Sequence, residues 1–308
     1  MGERCTIVPL SSVFKDRDSC IDVPFDLGNG VSLVRAPEWL KHEGMTKDLG
    51  FYERSGLIGR ATFALVQRYQ ADAADEPHPS AEGRTKEYVA SEAILFSSLA
   101  LWLAQPSCVN FRLVLHAHRM GGEWCLAAAQ AVPPILPGNR YCQVEPTRQD
   151  LEVAQQLNVR IWDLPRSGAV WTAIRTLLAA LESEHWEIRY LLLWVLLEAL
   201  FGPEDAREMT FRLSQRMALF LESEGSSARE IYRQARDGYG WRSKIVHGMR
   251  LRSLTSARAS EIMEAAEDLV RASMRKVVSS PELSSKFSGR GRERYLDDLV
   301  FSRPERAE

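Results

Sequence analysis

The sequence predicts an α+β N-terminal region followed by an all-α helical bundle. Three observations predict it. Residues 1–145 mix alternating, strand-like runs with one helical stretch. Residues 146–280 carry their apolar residues almost entirely at helical spacing. A cluster of breakers, Pro133, Pro134 and Pro137, lies between the two. At 308 residues, 45% hydrophobic and 26% charged, the chain has an ordinary globular composition. With roughly 100–200 residues per domain, its length suits two.

In chain order, Val31–Arg35 reads as a short strand after the turn-like Gly28-Asn29-Gly30, and Gly59–Tyr69 alternates in part, with Phe63 and Leu65 on one face. Asp72–Arg84 is rich in Asp, Glu, Pro, Ser and Gly and predicts a loop. Lys86–Ala104 carries Ile94, Leu95, Leu99 and Leu101 at helical spacing, and Pro106 stops it. Asn110–His118 alternates strictly, and Glu123–Val132 is its expected hairpin partner across Arg119–Gly122. The domain boundary is placed near Gly138–Thr147.

Beyond it, Gln149–Asn158 predicts a short amphipathic helix, and Gly168–Glu184 a longer one with a stripe through Val170, Ile174, Leu177, Leu178 and Leu181. Trp186–Phe201 is apolar nearly all round and predicts the central buried helix, ended by Gly202-Pro203. Glu204–Glu222, Ala228–Arg236 and Thr255–Val278 complete the helices of the 146–280 domain. Residues 281–308 are rich in Ser, Gly, Arg and Glu and read as a polar, flexible tail, although its SGRGRER stretch could touch phosphates.

Composition excludes several classes. The net charge of −2 is too small to make the whole molecule a polyanion binder, but from Ser226 onward there are 17 Lys or Arg against 12 Asp or Glu. A polyanionic partner is therefore permitted at that end. The segment MGERCTIVPL has no charged stretch followed by an apolar core, as a signal peptide would. The most apolar run, Ile188–Phe201, is too short and too polar to span a bilayer. The five cysteines, Cys5, Cys20, Cys108, Cys125 and Cys142, never form CxxC, which points to a reducing, cytoplasmic setting. Phosphate-loop, dinucleotide and hydrolase-elbow motifs are missing. His116 and His118, two apart on one predicted strand, could form a metal pair but have no third ligand at diagnostic spacing. Cys125 lies in an apolar run and reads as a buried thiol.

The informative stretch is Tyr239–Gly248, YGWRSKIVHG, bracketed by glycines between two long helices and read as a loop or single helical turn. Arg and His are the minimum set for metal-free RNA cleavage. RNA supplies its own 2′-OH nucleophile, His moves a proton near neutral pH, and Arg offers a planar fork to the phosphoryl oxygens as charge builds. Arg242 and His247 are five residues apart, so at about 100° per residue they point roughly 140° from each other on a helix. A joint site then needs an irregular turn or a second copy of the chain.

The segment W-R-S-K-I-V-H-G at this place in a helical domain resembles the Apea-like HEPN family, whose signature is R-x4-6-H. Leu197-Glu198-Ala199-Leu200-Phe201 and Arg212-Leu213-Ser214-Gln215-Arg216-Met217-Ala218-Leu219 also resemble it, so the likeness covers roughly residues 150–279. The resemblance implies a helical bundle that forms a homodimer and cuts single-stranded RNA without metal or cofactor, leaving a cyclic phosphate. It further implies a role as a prokaryotic defence or toxin effector, with a regulatory or antitoxin protein as partner. By the same resemblance Arg242 is the phosphate ligand and His247 the proton-transfer residue. Non-catalytic members that bind RNA, nucleotide or protein set the alternative. Ser243 either caps a short helix or orients Arg242, and Lys244 is either solvated or on the RNA backbone; both are candidate substrate contacts. Tyr239 and Trp241 could stack a base, though burial suits Trp241 as well, and Glu198 could partner Arg242.

Overall fold

The computed structural model describes residues 2–10, 22–71, 85–105, 113–131, 146–205, 207–222, 227–248 and 254–301. The loop expected at Asp72–Arg84 lies outside these residues, as does most of the expected boundary segment. The chain divides into two compact units, Met1–Asp163 and Leu164–Glu308.

The first unit is built on a six-stranded sheet of order β2-β3-β4-β1-β5-β6. The strands are β1 (Gly2–Leu10), β2 (Phe25–Asp26), β3 (Val31–Arg35), β4 (Phe63–Ala71), β5 (Leu113–Met120) and β6 (Glu123–Ala131), each antiparallel to its neighbours. β1, which the sequence reading missed, sits in the middle. Its last six residues, Cys5–Leu10, are all buried, because both faces of the sheet are covered. No alternation is left to reveal it.

One face buries Cys5, Ile7, Ala64, Val66, Leu113, Leu115 and Ala117. Over it lie Leu40 from a 3-10 turn (Glu38–Lys41), Met45 from α1 (Glu43–Thr46), and Leu57 and Ile58 from a π-turn (Tyr52–Ile58). The other face meets α2 (Lys86–Ala104), N-capped by Thr85. Among the described residues, α2 alone is long and apolar enough to cross a membrane. Two thirds of its most apolar window is buried within the protein, which makes it a core helix. The β5–β6 hairpin closes through Gly121-Gly122, both at positive φ, as its MGGE turn predicts.

Against α2 packs α3 (Arg148–Asp163), which the sequence reading assigned to the second domain. Its buried stripe of Leu151, Ala154, Leu157 and Ile161 includes Asn158. The Asn158 amide donates to Leu27 O (2.9 Å), Gly28 O (3.3 Å) and Ser97 Oγ (2.9 Å), tying α3 to the β2–β3 turn and to α2. The first unit therefore extends past residue 145 to Asp163.

Among the described residues the second unit is all helix: α4 (Gly168–Glu182), α5 (Trp186–Phe201), α6 (Met209–Leu221), α7 (Ala228–Val246), α8 (Ser256–Ser279), α9 (Pro281–Ser288) and α10 (Arg292–Phe301). As expected, α5 is central, packing on α4, α6, α7 and α8. Its burial is incomplete: Ile188 and Val195, on one face, stay 49% and 41% exposed. Its buried Arg189 pairs with Glu267 of α8 at 2.6 Å.

Residues 281–301 correct the expectation of a flexible tail, because they form α9 and α10 and close the bundle. Phe287 is buried among Phe201, Phe220 and Tyr295. The charges that read as solvated face inward. Arg216 Nη2 meets Glu293 Oε1 at 2.6 Å and Asp297 Oδ1 at 2.7 Å. Arg292 donates to the carbonyls of Ala199 (2.7 Å) and Leu200 (3.3 Å) at the C-terminal end of α5, where a helix has acceptors to spare.

Candidate functional site

Most of the stretch read as a loop, Tyr239–Val246, is the C-terminal part of a continuous helix. α7 begins at a capping box formed by Ser227 and Glu230, and runs through Gly238 and Gly240 to Val246. Gly238 is a packing residue here. A Cβ at that position would lie 2.5 Å from Trp194 Cζ2, and its carbonyl accepts from Tyr190 Oη at 2.7 Å. The missing side chain lets α7 approach α5 closely. His247 is the C-cap, its N–H bonded to Ser243 O at 3.1 Å, and Gly248 at φ +60° ends the helix.

Arg242, in the last turn of α7, meets Glu198, in the last turn of α5. Arg242 Nη2 is 3.1 Å from Glu198 Oε1, at an angle too oblique for a hydrogen bond, and 3.4 Å from Oε2, to which it donates. The guanidinium carbon lies over the Tyr239 ring, 5.4 Å from its centre, and Tyr239 packs edge-on to Trp194 at 5.5 Å. Burial pushes the Tyr239 hydroxyl above its ordinary pKa. The Glu198 charge and a hydrogen bond to Glu198 push the same way, and Arg242 opposes them. About a quarter of the Arg242 side chain remains exposed, and its buried Nε has no hydrogen-bond partner among the described residues. The fork is anchored at one prong without being saturated.

His247 is exposed one turn further on. Among the described residues, no hydrogen bond or ion pair joins Arg242 to His247, in keeping with the angular offset of their spacing. Lys244 is exposed, with its Nζ 4.1 Å over the centre of the Trp241 ring. Ser243 lies inside the last turn of α7, which rules out the expected role of capping a helix that starts there. Trp241 is half-buried and lines a pocket between α7 and α8 that the sequence reading did not foresee, because its walls are far apart in the chain.

The competing residues separate from this site. His116 shares a contact with Thr6 (Nδ1 to Oγ1, 3.1 Å), and burial holds its pKa below the ordinary histidine value, with Glu87 opposing. A bulge follows it in the β5–β6 ladder. Among the described residues, no three His, Cys, Asp or Glu side chains group as metal ligands. Burial pushes the Cys5 thiol up to about 12, which leaves it inert as a nucleophile near neutral pH. Cys125 is half-buried, less enclosed than its apolar run suggested.

No family model matches the chain, and no curated protein or solved structure matches it.

Proposed function

We propose that this protein is a metal-independent RNA endonuclease of the HEPN type, acting as a homodimer. The observation that carries the reading is the C-terminal end of α7. It holds Arg242, anchored by Glu198 and Tyr239 with donors to spare, and a solvent-exposed His247 one turn away. In this reading the RNA 2′-OH attacks the adjacent phosphorus and the bond to the 5′-oxygen breaks, giving a cyclic phosphate and a free 5′-hydroxyl. His247 moves the proton at one of these oxygens, and its counterpart from the second copy serves the other. Arg242 binds the phosphoryl oxygens, where negative charge grows in the transition state. The aromatic and carboxylate partners of Arg242 fix the guanidinium before substrate arrives, which lowers the ordering cost of binding. Lys244 and Ser243 are proposed contacts to the RNA backbone, Lys244 from its exposed place over Trp241.

A second reading, a non-catalytic interaction module, has one observation in its favour: Arg242 already has an ion-pair partner within its own chain. The product ends distinguish the two. Purified protein with single-stranded RNA and excess chelator is expected to leave cyclic phosphate ends, and to spare a strand of the same sequence made of DNA. Cutting that requires a divalent ion, or that also severs the DNA strand, defeats the nuclease reading. A role in prokaryotic defence or as a toxin, in the cytoplasm and under a regulatory or antitoxin partner, rests on the family resemblance alone. The sheet unit is proposed as the part that senses a trigger or restrains the nuclease.

A further inference from the structure

Between α7 and α8 the second unit holds a pocket of about 200 Å³, lined in part by Trp241, which precedes Arg242 in the chain. Its floor and walls are apolar: Trp194 from α5, Gly238 and Trp241 from α7, and Ile262, Ala266 and Leu269 from α8 are the main surfaces. Its rim is polar, with Gln234 and Asp237 on α7 and Arg258 and Glu261 on α8. A void of about 150 Å³ is enough to take up benzene, so this one accommodates an aromatic ring carrying polar substituents.

The rim chemistry selects among such rings. Its two carboxylates, on Asp237 and Glu261, each lie beside one arginine. Asp237 Oδ1 is 3.3 Å from Arg236, and Glu261 Oε2 is 2.7 Å from Arg258. Both pairs are more than half exposed, so the attraction within each is weak and the carboxylate oxygens keep capacity to accept. Gln234 donates its amide N–H to Ala265 O at 3.2 Å, which leaves the amide oxygen as a further acceptor. The mouth of this aromatic-walled slot thus offers three acceptors, the Asp237 and Glu261 carboxylates and the Gln234 amide oxygen, beside one cation, Arg258. Such a slot suits a flat heterocycle that presents N–H donors at its edge. Each rim carboxylate is offset by its arginine, so recognition falls to hydrogen bonding and stacking more than to net charge.

We propose that this pocket binds one nucleobase bearing an exocyclic amine, stacked against Trp241, and so sets the base at which the chain engages RNA. The proposal rests on the reading of Arg242 and His247 as an RNA site, and it names the substrate feature that site selects.

The test uses uncharged nucleosides, so that phosphate attraction plays no part, titrated into the full chain by calorimetry. Adenosine or cytidine is expected to bind at least tenfold more tightly than its deaminated counterpart, inosine or uridine. Ala265→Leu, at a half-buried position on the pocket wall, fills the slot with a good helix former and is expected to abolish binding. Trp241→Leu is expected to weaken binding about tenfold, the scale of one lost base stack. Circular dichroism checks that both variants fold. Equal affinity for the amine-bearing and deaminated nucleosides, no binding of any nucleoside, or binding unchanged in a folded Ala265→Leu overturns the proposal. The readout is independent of cleavage. A chain that binds adenosine and cuts no RNA keeps the pocket and loses the nuclease; one that cuts RNA and binds no nucleoside does the reverse.

Discussion

Two arginines of the helical unit, Arg216 and Arg242, make similar pairs with opposite consequences. Arg216 is 1% exposed, and both its terminal nitrogens are engaged, by Glu293, Asp297 and the carbonyl of Phe201. Arg242 is a quarter exposed, holds one glutamate at an oblique angle, and has an Nε without a partner. A buried arginine whose two terminal nitrogens are both engaged is closed to a ligand, so its role is to dock α10 on α6. An anchored but unsaturated one, at the surface and next to an exposed histidine, can still receive a phosphate. Sequence motifs do not separate the two, because both arginines stand in helices with a glutamate partner far away in the chain. Exposure does, 1% for Arg216 against a quarter of the Arg242 side chain.

The comparison can be broken in order of expected size. Arg216→Ala strands Glu293 and Asp297 and removes the donor to Phe201, and is expected to cost about 3–5 kcal/mol of unfolding free energy in a denaturant titration. A loss below about 1 kcal/mol would mean that α10 is not held by this cluster. Gly238→Ala forces a methyl against Trp194, and overpacking of that kind costs about 1–3 kcal/mol, reduced by the gain of alanine over glycine in a helix. Thermal melts that rise instead would show that α5 and α7 do not approach as closely as described. Arg242→Ala should lower stability by less than about 1 kcal/mol, because its pair is partly exposed and screened. A larger loss would move Arg242 into the structural class with Arg216.

The smallest effect lies in the sheet unit. Burial lowers the pKa of His116 in the folded state, so the unfolded chain binds its proton more readily. Stability then falls as pH drops below the unfolded value of about 6.5, and the loss is complete once pH has passed below the lower folded value. Between pH 7.5 and 5, His116→Gln is expected to show a shallower decline than wild type. Parallel curves would remove the assignment.

Legibility followed how visibly each residue's environment is written in its neighbours. The β5–β6 hairpin was readable because strict alternation meets a Gly-Gly turn, and α4 because its apolar stripe repeats at helical spacing. β1 was invisible because six consecutive buried residues leave no period. α7 was cut short at Gly238 because a glycine required for close packing looks the same as one that ends a helix. The C-terminal helices were lost because Arg292 and Glu293 count as surface charges until their partners on α5 and α6 are known. Of the candidate site, Arg242 and His247 were singled out by the family resemblance and not by their spacing, and the reach of Glu198 to Arg242 is the part of that expectation the structure contains. The pocket could not, since Trp194, Trp241 and Glu261 come from three helices whose contact no local pattern records.

The most direct test of the central claim is the rate of RNA cleavage in EDTA by wild type, Arg242→Ala and His247→Ala, with the melting temperature of each measured alongside. The account predicts cleavage by wild type and its loss in both variants, with melting temperatures nearly unchanged. Cleavage by His247→Ala at the wild-type rate, or an Arg242→Ala chain that loses activity only because it unfolds, would contradict it.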